Sequence, residues 1–178
     1  FRATGVQTCI ATWNKNVKEN QTFLKFSNHF QVAGCPVAKV FAVNKDETIY
    51  LQQDFGDVSL LNELEQHGYS QHVYGLFQQS LQRLAHLQIK GHEHLDYNWC
   101  ITSKEFGKQA IMSDLLYYKY YFLDTLKIPY EKEKLIDDFE ALSTYLIHVD
   151  YNFFMFRDFQ SRNVMVKDGL VHFIDYQG

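Results

Sequence analysis

Apolar positions along the first fifty residues change their period three times. Residues 8–13, from Thr8 to Trp13, form a short apolar and β-branched run, long enough for a strand and too short for a helix. Over residues 17–30 the spacing lengthens: Phe23, Leu24, Phe26 and Phe30 recur at helical intervals, and Gly34 followed by Pro36 closes the segment in the order expected of a helix stop. Two further strand-like runs, residues 37–43 and 48–53, flank a polar turn over residues 44–47. The predicted opening order is therefore strand, helix, strand, strand.

Beyond Gly56 the helical period dominates. Residues 70–87 carry Val73, Leu76, Phe77, Leu81, Leu84 and Leu87 at three- and four-residue steps, the stripe of an amphipathic helix packed on a core. A tyrosine-rich helix is predicted over residues 113–126, punctuated by Pro129. A third runs over residues 131–149, with Leu135, Phe139, Leu142, Leu146 and Val149 inward and the charges of Glu131 and Glu133 at the favourable helix end. A β-hairpin comes next, residues 164–167 and 170–174 around Asp168-Gly169, because Asp-Gly between alternating apolar residues is a strong short hairpin signal. The organisation read from this pattern is an α+β chain. Residues 1–53 form a small β-rich lobe, and residues 54–178 a helical lobe carrying the hairpin, joined by a connector near residues 52–56.

Composition narrows the function classes. With 17 basic and 21 acidic side chains the net charge is −4, which excludes a generic polyanion binder, since a nucleic-acid footprint needs a basic surplus. At 46% hydrophobic and 21% charged residues the chain is globular, and nine glycines with two prolines are too few for a turn-dense sandwich. No stretch approaches the roughly 20 apolar residues that span a bilayer. Cys9, Cys35 and Cys100 are odd in number and widely spaced, so they read as small buried hydrophobes in a reducing, cytoplasmic setting and not as a disulfide framework. The chain opens on Phe1 and closes on Gly178 directly after a strand-like run, which reads as a protein truncated at both ends.

Candidate chemistry concentrates in residues 154–178. Asp158, Asn163 five residues on, and Asp175 after the second hairpin strand stand where the backbone leaves or enters strands, so the hairpin can gather all three at one edge. One Asn and one Asp oxygen suit Mg²⁺, which draws its remaining ligands from water and phosphates. A further carboxylate that orients a hydroxyl completes the parts of a phosphoryl-transfer site. Several neighbours invite less. His92, Glu93 and His94 have no identifiable third metal ligand and read as a solvated loop. Ser161 lacks the elbow of a nucleophile, Asp114 reads as a charge at a helix N-terminus, and Tyr117, Tyr118, Tyr120 and Tyr121 read mainly as helix packing.

Arg157-Asp158 with Asn163 resembles the catalytic loop of protein kinases and of aminoglycoside-phosphotransferase-like small-molecule kinases, in which an Arg-Asp pair is followed by Asn five positions after the Asp. Ile174-Asp175 stands where those proteins carry a second metal-binding Asp. The finer text, Ser161-Arg162-Asn163 and Asp175-Tyr176-Gln177, looks most like bacterial anomeric amino-sugar kinases of the N-acetylmuramate kinase type. The resemblance implies a bilobal protein-kinase-like fold and an ATP- and Mg²⁺-dependent enzyme that phosphorylates a hydroxyl of a small polar molecule, most plausibly an amino sugar, without nucleic-acid or membrane partners. It assigns Asp158 as catalytic base, Asn163 and Asp175 as Mg²⁺ ligands, and Gln52, Gln53 and Asp54 as the hinge whose backbone meets the adenine. It also assigns Glu19 as the partner of a phosphate-contacting lysine. Asp54-Phe55-Gly56 spells the metal-binding tripeptide of protein kinases, but it follows a strand of the first lobe and is a decoy. Phe156 replaces the family's usual His. Residues 8–13 carry no lysine, Lys15 lies just beyond, and the glycine-rich phosphate loop does not occur after Phe1. The missing lysine suggests a rival reading, a catalytically weak nucleotide-binding or regulatory module.

Overall fold

The β-branched run predicted first becomes the centre of a sheet. In the computed structural model, which describes residues 1–3, 8–101, 103–149 and 153–176, strands β1 (Arg2–Ala3), β2 (Cys9–Trp13), β3 (Val40–Val43) and β4 (Ile49–Gln53) form an antiparallel sheet of order β1-β2-β4-β3. β2 pairs with β4 along its full length, from Cys9 against Gln53 to Trp13 against Ile49. The β3–β4 turn is held by Asn44, whose backbone amide donates to the Ile49 carbonyl at 2.9 Å and whose Oδ1 accepts from the Ile49 amide at 2.9 Å. Val37, predicted within the third strand, lies outside β3 and instead makes a parallel bridge to Phe173.

Helix α1 (Val17–Val32) starts at Asn16, whose side chain accepts from the Glu19 amide. Its apolar stripe buries Phe23, Phe26 and Phe30 as predicted. Asn20 lies among them, 1% exposed, and satisfies its burial by donating to the carbonyls of Asn14 at 3.0 Å and Glu47 at 2.7 Å, so one amide fastens both the β2–α1 junction and the β3–β4 turn.

The connector leads into α2 (Leu60–His67), which opens on a reciprocal capping box between Ser59 and Asn62, and α3 (Gln71–Lys90), capped by Ser70. The predicted stripe of α3 buries Val73, Leu76 and Leu87, whereas Leu81 stays 62% exposed. The hairpin consists of β5 (Val164–Lys167) and β6 (Leu170–Phe173). Asp168 and Gly169 sit at φ 53° and 73°, the paired left-handed conformation a two-residue hairpin turn demands. Both outer edges of this two-stranded sheet are occupied. On the β5 side the Val166 amide donates to the Val58 carbonyl at 2.8 Å. On the β6 side the Phe173 amide donates to the Pro36 carbonyl, the Val171 amide donates to Gln79 of α3, and Arg83 donates to the Val171 carbonyl. One apolar cluster runs through α1, α2, α3 and the hairpin and includes Phe26, Phe30, Leu60, Leu87, Phe154, Val171, Phe173 and Tyr176. Each such side chain, fully buried, stabilises the fold by about 1.5–3 kcal/mol relative to exposure.

The chain divides into two compact units: Phe1–Thr102 with Phe153–Gly178, which contains the sheet, α1–α3 and the hairpin, and Ser103–Asn152. The second unit holds α4 (Lys108–Tyr118), a single π-helical stretch (Lys119–Asp124) and α5 (Lys132–Leu146). Helix α4 begins five residues before its predicted start, placing exposed Asp114 well inside the helix and not at its N-terminus. The tyrosines also depart from expectation. Tyr117, Tyr118, Tyr120 and Tyr121 are exposed, and they stack along their own helix, Tyr117 on Tyr121 with ring centroids 4.3 Å apart and Tyr118 on Phe122 at 5.3 Å. On α5 Phe139 is buried while Leu142 and Leu146 are exposed, as is Val149 just beyond the helix end. Two helices and a turn cannot enclose a wide apolar face, so helical spacing alone overstated burial here. Among the described residues no helix is long and apolar enough to cross a membrane.

Candidate functional site

The loop that carries Asp158 is anchored from below. Phe154 is buried, and its amide donates to the Gln88 carbonyl of α3 at 3.0 Å. Phe156, also buried, meets Phe159, Phe173 and Tyr176 edge-on at 5.6, 5.7 and 6.4 Å. Its place in this aromatic nest explains why an apolar ring stands at that position: the site is a packing site. Arg157 and Asp158 then emerge as exposed residues.

Asn163 organises the remainder of the loop. It is 7% exposed, and its Nδ2 donates back to the Asp158 carbonyl at 3.0 Å. Its own amide donates to Gln160, and the Gln160 amide donates to Asp158, both at 2.8 Å, which closes the loop on itself. The Asn163 carbonyl accepts from the Ile174 amide at 3.0 Å. One residue thus ties the Asp158 loop on one side to the exit of β6 on the other. The three sequence candidates are gathered at one end of the hairpin, although Asn163 and Asp175 are twelve positions apart.

Asp175 is exposed with φ 59°, a left-handed backbone that costs a non-glycine residue about 1–2 kcal/mol. Its neighbours offset that cost. Phe173 is fully buried, and Tyr176, 2% exposed, donates its hydroxyl to Ser27 Oγ at 2.6 Å while Ser27 donates to the Phe23 carbonyl at 2.6 Å. Burial holds the Tyr176 hydroxyl well above its ordinary pKa, in its neutral donating form. Gln177 lies outside the described residues.

Among the described residues neither the Asp158 nor the Asp175 carboxylate has a hydrogen-bond or ion-pair partner, and no donor reaches the buried Asn163 Oδ1. Such oxygens, gathered at one end of a hairpin, suit a hard cation together with a polar ligand. Also among the described residues, no three His, Cys, Asp or Glu side chains gather into a metal-holding group. An Asn and an Asp oxygen are hard donors of the kind Mg²⁺ takes one or two at a time, whereas zinc sites use three or four His, Cys or carboxylate ligands.

Asp175 also lines a cleft of about 180 Å³, walled by Thr12 and Gln52 of the sheet, Phe23 and Tyr50, and Ile174 and Tyr176. Tyr50 stacks on Phe23 at 4.9 Å, and Phe23 stacks on Tyr176 at 6.0 Å. The remaining candidates are distributed unevenly around it. Gln52 lines the cleft. Gln53 is turned to the neighbouring loop, its amide donating to the Lys39 carbonyl at 2.8 Å and its Oε1 accepting from the Lys39 amide at 3.3 Å. Asp54 is 4% exposed and its carboxylate takes Arg2 Nε at 2.7 Å and the Gly56 amide at 2.8 Å. Burial pushes the Asp54 carboxyl up, but the Gly56 and Arg2 hydrogen bonds outweigh it and hold it below the ordinary carboxylate range. Glu19 is not part of the cleft: its Oε2 accepts from Asn16 at the start of α1. Lys15 lies two residues past the end of β2, its Nζ 5.6 Å from the centre of the Trp13 ring.

The chain matches no protein-family model and no curated protein.

Three participants had no local signal. Arg2 reaches Asp54 and Asp57 across more than fifty residues, Lys167 donates to the Asp54 carbonyl at 2.7 Å across more than one hundred, and Ser27 meets Tyr176 across almost the whole chain. None of these pairings leaves a periodicity to detect. His92–His94 behaves as expected of a loop: His92 Nδ1 meets the Tyr97 hydroxyl at 2.9 Å, and Glu93 pairs with Lys90.

Proposed function

We propose that this chain belongs to an ATP- and Mg²⁺-dependent phosphotransferase of protein-kinase-like fold, which phosphorylates a hydroxyl of a small polar molecule of the amino-sugar class. The observation that carries the reading is the double tie made by Asn163, to the Asp158 carbonyl and to Ile174, which gathers at one end of a hairpin two carboxylates and a buried amide oxygen that have no partner among the described residues. Three features support it further. The cleft is lined by both Asp175 and Gln52, α1 lies in chain order between the second and third strands of an antiparallel sheet, and Asp175 sits between buried Phe173, two residues before it, and buried Tyr176.

In this reading Asp158 accepts a hydrogen bond from the acceptor hydroxyl, orients it and takes its proton. Asn163 and Asp175 would hold Mg²⁺, which when bound neutralises charge on the β- and γ-phosphates. Tyr50, Phe23 and Ile174 give the cleft an aromatic and aliphatic wall. Positioning and electrostatics supply most of the rate enhancement in such sites, so the site residues need not contribute to stability.

The test is ADP formation from ATP and Mg²⁺ by the full-length protein against amino sugars, aminoglycosides and choline. Asp158→Ala lowers turnover by about 10²–10⁴-fold, the range of a positioned base. Because Asp158 is exposed and unpartnered among the described residues, unfolding free energy changes by no more than about 0.5 kcal/mol. Full turnover by the variant overturns the assignment. Binding of Mg²⁺·ATP without turnover on any acceptor favours the rival, a nucleotide-binding module, for which the absence of lysine from β2 speaks.

A further inference from the structure

The connector between β4 and α2 does more than join two parts of the chain. From Asp54 to Ser59 it runs along the hairpin as an additional rail. The Asp54 carbonyl accepts Lys167 Nζ at 2.7 Å, the Phe55 ring stacks on the His172 ring at 4.1 Å and 16°, the Val58 carbonyl accepts the Val166 amide at 2.8 Å, and Ser59 bridges to Met165. From the opposite direction Arg2 of β1 clamps the same segment: its guanidinium reaches Asp57 at 2.6 and 2.7 Å and Asp54 at 2.7 and 3.1 Å. Asp54 and Phe55 are 4% and 5% exposed. The residue just upstream of this clamp is Gln53, and Gln52 beyond it lines the cleft. The hairpin on the other side of the clamp begins directly after Asn163 and ends two residues before Asp175.

We infer that Lys167 is a positioning residue for nucleotide binding, which through the Asp54 carbonyl sets the wall that carries Gln52 against the hairpin end that carries Asn163 and Asp175. The inference rests on the phosphotransferase reading above and adds a residue to which that reading gives no role. A nucleotide reaching from Gln52 to a metal at Asn163 and Asp175 must match the separation of those two points. Lys167 supplies a charge-assisted hydrogen bond at the place where sheet-derived and hairpin-derived backbone meet. Its partner is a backbone carbonyl, so the link holds the chain itself and not a side chain able to swing away. Arg2 braces the carboxylates of the same segment, which leaves the Asp54 carbonyl to Lys167.

The test is steady-state kinetics of the full-length protein with three versions of position 167: wild type, Lys167→Met and Lys167→Arg. Lys167→Met keeps the aliphatic length and removes the donor, raising KM for ATP about tenfold while kcat changes less than about twofold, the signature of lost ground-state placement. Lys167→Arg restores the donor and returns KM to within about threefold of wild type. Hydrogen exchange over residues 53–58 rises in the Met variant and returns in the Arg variant, which shows that the connector has moved in a folded protein. Unchanged KM for ATP in Lys167→Met, with wild-type turnover intact, overturns the positioning role and leaves the phosphotransferase reading standing. Absence of both Mg²⁺·ATP binding and turnover in the wild type overturns both.

Discussion

His172 illustrates how a single side chain records its surroundings in a measurable quantity. Stacked under Phe55, half-buried, and facing Arg83, Lys167 and Asp168, it has its pKa lowered from 6.5 to about 4, chiefly by burial and then by the two cations. The unfolded chain binds a proton at this position near pH 6.5 and the folded chain only near pH 4. Stability therefore rises with pH between those values and is lost as pH falls through them. Urea unfolding at pH 7.5 and pH 5 will show a loss for the wild type that is smaller for His172→Gln; equal losses remove the assignment. Asp54 and Asp57, with pKa values lowered from 3.8, act in the same direction at more acid pH, so the two effects separate along the pH axis. At this scale the sequence was half legible. Asp158, Asn163 and Asp175 stood out because their spacing is local and their chemistry coherent. Arg2, Lys167 and Ser27 did not, because their roles depend on partners brought by folding and a single Lys or Ser carries no pattern of its own.

At the level of elements, the Asp168-Gly169 turn was the most legible feature, since its chemistry is dictated by the left-handed backbone that both residues adopt. Nothing lies within 4 Å of a Cβ placed on Gly169, so substitution meets no clash and its cost is conformational alone. Gly169→Ala is expected to lower stability by about 1–2 kcal/mol, and a smaller cost at φ 73° would show that the turn relaxes. The loss is read from denaturant midpoints. A second test concerns α2, whose short length hid it from periodicity. The Ser59 side chain accepts from the Asn62 amide at its first turn, so Ser59→Ala costs about 1 kcal/mol, read from the same denaturant midpoints. The helices of the 103–152 unit were legible as helices but not in their burial. Spacing reports which side chains share a face, and it does not report whether a neighbour exists to cover that face.

Across the whole molecule, the α+β organisation followed from the change of period at Gly56, and the core from the aromatic stripe of α1. The pattern did not convey that α1, α2, α3 and the hairpin share one apolar cluster. A ligand that bridges Gln52 and the hairpin end should therefore stabilise the unit as a whole. Mg²⁺·ATP at about 100 times its Kd is expected to add about 2.7 kcal/mol to unfolding free energy. Excess chelator will remove that gain if the metal-holding role of Asn163 and Asp175 is right, whereas an undiminished gain would refute it. The same unit has solved a hazard intrinsic to small sheets. An isolated hairpin offers two rows of unsatisfied amides and carbonyls, each a template on which a foreign strand can grow. Here Val58 and Ser59 meet one row, and Pro36, Gln79 and Arg83 meet the other. The substructure that presents the candidate site is thus closed to strand recruitment for as long as these covering segments stay folded, and local unfolding of residues 36 or 58–59 is what would open it.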